Sequence, residues 1–241
     1  MSRIAILSDV HGNLEALTQV LRDLDTLGHD TAVCLGDIVG YGPQPQECCD
    51  LLRERDMHVV MGNHEQGLIN IHYLTAFNQP ARDALRKTRE MITEDTYQWL
   101  VSHSKSLVLH DCRFVHGTPP DSASDYIWKH EKHMDAVFAL FSEPVCFVGH
   151  THDLVRFTFE NNAAKKLPLP QGDTTLDPAQ RHLVNIGAVG QPRDGDNRAK
   201  YAVYDTESHV LTVRYIPYDV EKTARLITAH GFHRGFADRL R

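Results

Sequence analysis

Residues 3–11 read Arg3-Ile4-Ala5-Ile6-Leu7-Ser8-Asp9-Val10-His11, an apolar run that stops on two metal-type ligands, Asp9 and His11. Four further stretches repeat the arrangement. Residues 31–36 run into Asp37, residues 58–62 into Asn63 and His64, residues 113–115 into His116, and residues 145–149 into His150 and His152. Short apolar, β-branched-rich runs bounded by turn signals read as buried strands. In α/β sheets the functional groups gather at the carboxyl ends of the strands, where the loops converge. Ligand-type residues after five separate strands therefore predict one shared site on one rim.

Working outward, the first half alternates strand and helix. Leu14, Leu17, Leu21 and Leu24 repeat at helical spacing behind Asn13, a suitable N-cap. Pro45 opens a helix running to about Arg55. A long helical stretch is expected over residues 80–103, then strands at 106–109 and 112–115 and a helix at about 133–141. From Val145 the pattern is mainly β, with strands at 154–159, 182–185, 200–204 and 210–215, and a final helix starts near Val220. Residues 161–181, rich in Pro, Gly, Asp and Lys, read as a surface excursion. Alternation followed by antiparallel strands predicts an α/β (α+β) chain of mixed sheets packed together with helices outside.

At 241 residues, 41% of them hydrophobic, the chain fits one domain over residues 1–241 with a substantial core. The 25 basic and 32 acidic residues give a formal net charge of −7, which argues against sequence-independent nucleic-acid binding. The first apolar run is too short for a signal-peptide core and no stretch approaches transmembrane length, so no membrane is expected and a cytoplasmic location is. Five cysteines, an odd number with no C-x-x-C, argue against a disulfide framework and a structural zinc cluster and read as packing thiols.

Taken singly, each ligand motif has an ordinary explanation. An Asp before a helix complements its N-terminus, and Asp37 or Asn63-His64 could be turn residues. His150 and His152 are harder to dismiss, because i, i+2 side chains on an extended segment point to one side. Coincidence after five strands is a poor account of the whole set. The other eleven of the sixteen histidines lie outside these motifs and read as solvated or core residues.

In order, Asp9-Val10-His11, Gly36-Asp37, Gly62-Asn63-His64-Glu65, His116-Gly117 and Gly149-His150-Thr151-His152 resemble the signature of the calcineurin-like metallophosphoesterase superfamily. Gly40-Tyr41-Gly42-Pro43 and Gly190-Gln191-Pro192-Arg193-Asp194-Gly195 are similar to a bacterial and archaeal subgroup of small phosphodiesterase-like members. The resemblance implies a four-layer α/β/β/α sandwich with two metal ions. Asp9, His11, Asp37 and His152 would hold one ion, and Asp37, Asn63, His116 and His150 the other, with Asp37 bridging. His64 would be the catalytic histidine beside the phosphate.

General chemistry fits that implication. Two divalent ions about 3.5–4 Å apart clamp an in-line displacement and lower the pKa of bound water. Set against Asp9, Asp37 and a hydroxide, they leave a formal charge of about +1, which attracts an anionic ester. Imidazole and carboxylate ligands without thiolate favour manganese, iron, zinc, cobalt or nickel, divalent or trivalent.

The protein Ser/Thr phosphatases of the superfamily carry G-D-x-V-D-R-G where this chain has Gly36-Asp37-Ile38-Val39-Gly40-Tyr41-Gly42. Gly40 thus stands for the aspartate that would orient His64, and Tyr41 for a phosphate-clamping arginine. Tyrosine cannot supply a bidentate guanidinium clamp, so phosphoprotein phosphatase activity is not expected. Arg193 is the candidate substitute for substrate binding; its ordinary alternative is a solvated arginine paired to Asp194 or Asp196. Tyr126 and Trp128, in the loop of residues 118–128, either wall the site and stack on a base or pack on the scaffold, the commoner use.

The expected activity is hydrolysis of small phosphodiesters or phosphomonoesters, nucleotides and dinucleoside polyphosphates included, by in-line attack of metal-bound hydroxide. The rivals are a metal-dependent nuclease and a non-catalytic metal-binding scaffold. The expected partner is a small-molecule phosphate ester; oligomeric state is not legible.

Overall fold

A strand buried on both faces needs an apolar residue at every position, and Arg3–Leu7 supplies four in a row. Ile4 and Ile6 face one core, Ala5 and Leu7 another, and all four are 0% exposed. The computed structural model describes residues 2–241. In chain order its elements are β1 (Arg3–Leu7), α1 (Leu14–Leu27), β2 (Thr31–Cys34), α2 (Pro45–Glu54), β3 (His58–Val59), α3 (Asn63–Ile69), α4 (Ile71–Leu74), α5 (Gln79–Met91) and α6 (Glu94–Val101). There follow β4 (Ser106–Leu109), β5 (Cys112–Val115), a 3-10 helix (Ile127–His133), α7 (Met134–Phe138), β6 (Val145–Val148), β7 (Leu154–Glu160) and β8 (Ala163–Pro168). The chain ends with β9 (Gly172–Thr175), β10 (Arg181–Ile186), β11 (Ala199–Asp205), β12 (Val210–Ile216), α8 (Val220–Ala229) and α9 (Arg234–Asp238).

These strands make two six-stranded mixed sheets, ordered β3-β2-β1-β11-β12-β9 and β4-β5-β6-β10-β7-β8. The sheets face each other across a core in which Phe147 stacks on Phe114 at 5.5 Å and meets Tyr204 of the opposite sheet at 5.7 Å. Helix α1 covers the outer face of the first sheet with Leu17, Leu21 and Leu24, and Asn13 caps it by accepting from the Ala16 amide at 3.2 Å. Helix α7 covers the second sheet with Met134, Val137 and Phe138. The expected layers of helix, sheet, sheet and helix are therefore present.

Within each sheet the strands that matter run parallel. β1, β2 and β3 pair in parallel, as do β5, β6 and β10. Their carboxyl ends point to one rim, which is the condition for a shared site.

Three expected elements differ. The helical stretch over 80–103 is two helices, because Ile92 is buried in an extended conformation and Thr93 caps α6, its side chain accepting from the Thr96 amide. Only Met134–Phe138 of the expected 133–141 helix is α-helical. Residues 161–181, read as a surface excursion, carry two strands. Asn161 and Asn162, with φ of 50° and 61°, make a tight hairpin into β8, and β9 then crosses to the edge of the other sheet beside β12. Leu169 and Leu176, 3% and 1% exposed, tie this crossing into the core between the sheets.

All five cysteines are buried free thiols, with burial pushing Cys112 up to about 12. Among the described residues, no helix is long and apolar enough to cross a membrane.

Candidate metal centre

The loops after β1, β2, β3, β5 and β6 bring Asp9, His11, Asp37, Asn63, His64, His116, His150 and His152 together, and all but Asn63 are buried. They form three overlapping groups: Asp9, His11 and His152; His11, Asp37 and His64; Asp37, His116 and His150. Ligand atoms in each group lie within 4.8 Å of one another. None of the other eleven histidines joins them. Asn63 completes the second half, its Oδ1 lying 3.2 Å from His116 Nε2. Asp37 Oδ2 stands between the halves, 3.3 Å from His116 Nε2 and 3.8 Å from His11 Nε2.

The backbone is bent to aim these side chains. Five of the seven candidate ligands hold a left-handed backbone: Asp9, His11, Asp37, His150 and His152, with φ between 49° and 66°. For a residue with a Cβ that conformation costs on the order of 1–2 kcal/mol. Strain concentrated at one rim is typical of functional sites.

The imidazole hydrogen bonds show which ring nitrogens are turned toward a cation site. His11 Nδ1 meets the Val39 carbonyl at 3.1 Å, His116 Nδ1 that of Leu35 at 2.7 Å, His150 Nε2 that of Ser124 at 3.3 Å and His152 Nδ1 that of Gln191 at 2.5 Å. A carbonyl only accepts, so each outer nitrogen carries a proton and, in the neutral ring, the inner nitrogen presents a lone pair. Those lone pairs face each other, His11 Nε2 to His152 Nε2 and His116 Nε2 to His150 Nδ1, both at 3.2 Å. Asp9 Oδ1, buried with no hydrogen-bond partner, lies 3.0 Å from His152 Nε2. Such a constellation calls for cations. Burial opposes charge on His116, yet Asp37 pushes it up to about 9, so a metal ion bound to its inner nitrogen would displace a proton there, whereas burial drives His150 down to about 3. Burial likewise opposes ionisation of Asp37, but the imidazoles of His116, His64 and His11 hold its carboxyl well below the usual range. The donor set fits divalent metal ions.

His64 sits at the start of α3, its amide donating to Asp37 Oδ1 at 2.9 Å and its Nε2 lying 3.9 Å from Asp37 Oδ2. Its Nδ1 is buried without a partner. Ring packing orients it instead, edge-on to Tyr41 at 4.5 Å and to Phe77 at 5.1 Å. Burial lowers its pKa to about 4, so it is neutral at pH 7. Gly40 explains the missing partner: a Cβ there would lie 2.0 Å from His64 Nδ1, on a backbone with φ of 85°. Gly40→Asp is therefore expected not to restore an orienting pair. It should displace the ring and lower kcat about a hundredfold, the scale of a misplacement of about 1 Å. Steady-state kinetics alongside a thermal scan checks this.

Supports that the sequence reading passed over hold the ligands in place. The buried Glu65 carboxylate accepts from the amides of Asp37, Ile38 and Gly62 at 2.8–2.9 Å and of Val39 at 3.3 Å, lashing the loop after β2 to the loop after β3. Burial, reinforced by Asp37, pushes it up to about 7. Ser8 Oγ donates to Asp9 Oδ2 at 2.6 Å. Asn185, on the sixth converging strand, donates to the Gly149 carbonyl and to Thr151 Oγ1, both at 2.8 Å, and so sets the loop of His150 and His152. Glu65 follows His64 directly in the sequence and was there to be noticed; Asn185, an amide between Val184 and Ile186, was the other signal.

Tyr126 stacks on His150 with ring centroids 3.8 Å apart and meets Trp128 at 5.5 Å, so the first of the two aromatics is both scaffold packing and site wall. Arg193 is exposed and pairs with neither Asp194 nor Asp196, which hold Lys200 and Arg198; its guanidinium donates to Gln191 Oε1 at 3.1 Å.

Two mixed sheets carrying buried carboxylates and imidazoles at their converging strand ends define an α/β domain with a candidate metal centre. The chain belongs to the calcineurin-like phosphoesterase superfamily, whose domain matches residues 2–209. A metallophosphoesterase from Sphaerobacter thermophilus is 36% identical with a TM-score of 0.84, covering 99% of this chain and 98% of that one. An uncharacterised protein of Methanocaldococcus jannaschii is 34% identical over 247 residues, 99% of this chain and 97% of the relative. A hypothetical protein from Pyrococcus horikoshii OT3 shares the fold with a TM-score of 0.75 at 18% identity, covering 100% of this chain and 98% of that one.

Proposed function

We propose that the protein hydrolyses phosphate esters of small molecules at a centre of two metal ions. The observation that carries this is the set of four imidazoles, each with its outer nitrogen on a carbonyl and its inner nitrogen turned toward another. Asp9, His11, Asp37 and His152 would hold one ion, and Asp37, Asn63, His116 and His150 the other. Bound there, the ions supply positive charge for phosphate oxygens and acidify water.

The chain's own groups do the rest. Gln191 and Leu35 carbonyls orient the rings of His152 and His116, which turns their inner nitrogens toward the ions. Since His64 Nδ1 is buried without an acceptor, the ring is better protonated at Nε2, which faces Asp37. As a neutral imidazole it then donates a hydrogen bond to the phosphate or to the leaving oxygen as charge develops there. Asn63 and His150 open onto a cavity of about 400 Å³ walled by Tyr41, Tyr73, Phe77 and Tyr126. A cavity of that size suits a small organic leaving group such as a nucleoside. Arg193 contributes to substrate binding.

Purified protein loaded with manganese is expected to hydrolyse bis-p-nitrophenyl phosphate or p-nitrophenyl phosphate. Thorough chelation should remove the activity, and added metal should restore it. Undiminished turnover after chelation would sink the reading.

A further inference from the structure

We propose that Arg193 and Arg239 together form an anion subsite for a second phosphate group of the substrate, distinct from the phosphate hydrolysed beside Asp37. This rests on the phosphoesterase reading above and names its substrate class: esters carrying at least two phosphates.

Arg239 lies just past α9, far in sequence from every ligand motif, yet its guanidinium donates to Gln191 Oε1 at 3.3 Å, the same atom that accepts from Arg193. Two guanidinium groups are thus gathered around one neutral oxygen. Neither has a carboxylate within ion-pairing distance among the described residues, although the acids nearby are all engaged: Asp194 by Lys200, Asp196 by Arg198, Glu221 by Arg241, Asp238 by Arg234 and Arg241. Both arginines are exposed, and one side-chain oxygen draws them together while leaving most of their donors free for an anion. Planar guanidinium forks match phosphate geometry.

The pair is attached to the metal centre by two routes. Gln191, 2% exposed, gives its backbone carbonyl to His152 Nδ1 and its side-chain oxygen to both arginines. Phe236 of α9 packs on Tyr41 at 4.7 Å, and Tyr41 packs on His11 at 4.6 Å. The arginines line a separate cleft of about 900 Å³ that no candidate metal ligand borders. Its occupant is therefore not the phosphate at the ions but a group carried further along the same molecule.

The test begins with binding, not turnover. Calorimetric titration of chelated full-length protein with inorganic pyrophosphate should show binding that Arg193→Ala/Arg239→Ala weakens at least tenfold, about the loss of one charge-assisted contact. Arg86→Ala, at an exposed arginine elsewhere, should leave it unaltered. With metal restored, Arg239→Ala should lower the ratio of kcat/KM for a nucleoside diphosphate to that for the monophosphate about tenfold. Pyrophosphate binding unchanged in the double variant would overturn the proposal, as would equal losses on both nucleotides. Failure of every ester to react would count against the phosphoesterase reading alone, and the titration would still decide the subsite.

Discussion

Asp37→Ala is expected to leave a folded protein without phosphoesterase activity. Asp37 Oδ2 is the one carboxylate oxygen within 4 Å of imidazole nitrogens from both halves of the centre, and its Oδ1 holds the amide that starts α3 at His64. On the proposed reading, removing it takes away the shared ligand and the support of His64 in one step. Losses on the order of a thousandfold or more accompany removal of a group on which the reacting constellation depends. Stability should fall far less. One hydrogen bond to a buried amide is lost, about 1–3 kcal/mol, offset by relief of crowding among Asp9, Asp37 and Glu65. The comparison is kcat/KM beside a urea titration. A variant keeping a tenth of wild-type activity would show that Asp37 is not shared.

Glu65→Ala carries the largest expected cost in stability. Four buried amides, of Asp37, Ile38, Val39 and Gly62, converge on its carboxylate, and Gly62 also lies against Asp37, where a Cβ would stand 2.2 Å from Oδ1. An unsatisfied buried amide costs about 1–3 kcal/mol, and water admitted to the vacated space recovers part of it. A net loss of about 3–5 kcal/mol is expected, with metal affinity falling as the two loops part. Glu65→Gln keeps an acceptor oxygen and should lie between. Equal urea midpoints for wild type and Glu65→Ala would refute this role.

Much of the site was legible because each ligand follows a strand, and strands betray themselves through apolar runs. Asp9, Asp37 and His150 needed no tertiary knowledge beyond the rule that parallel strands end on one rim. What escaped reading acts across sequence distance. Glu65 works on amides some 27 residues away. Arg239 meets Gln191 only because α9 folds back onto Tyr41 through Phe236. The strands at 163–168 and 172–175 escaped for a different reason. β8 is an edge strand with Lys165 and Lys166 exposed, so it lacks the apolar run, and its one local signal was the Asn161-Asn162 turn. Cap residues overruled the long helix, since Thr93 breaks it for a reason that propensity alone does not weigh.

The central claim is that these side chains hold a pair of ions with Asp37 between them. Manganese-reconstituted protein should contain two ions per chain by elemental analysis, and its paramagnetic resonance spectrum should show them exchange-coupled. One ion per chain, or two with the spectrum of isolated manganese, would contradict it.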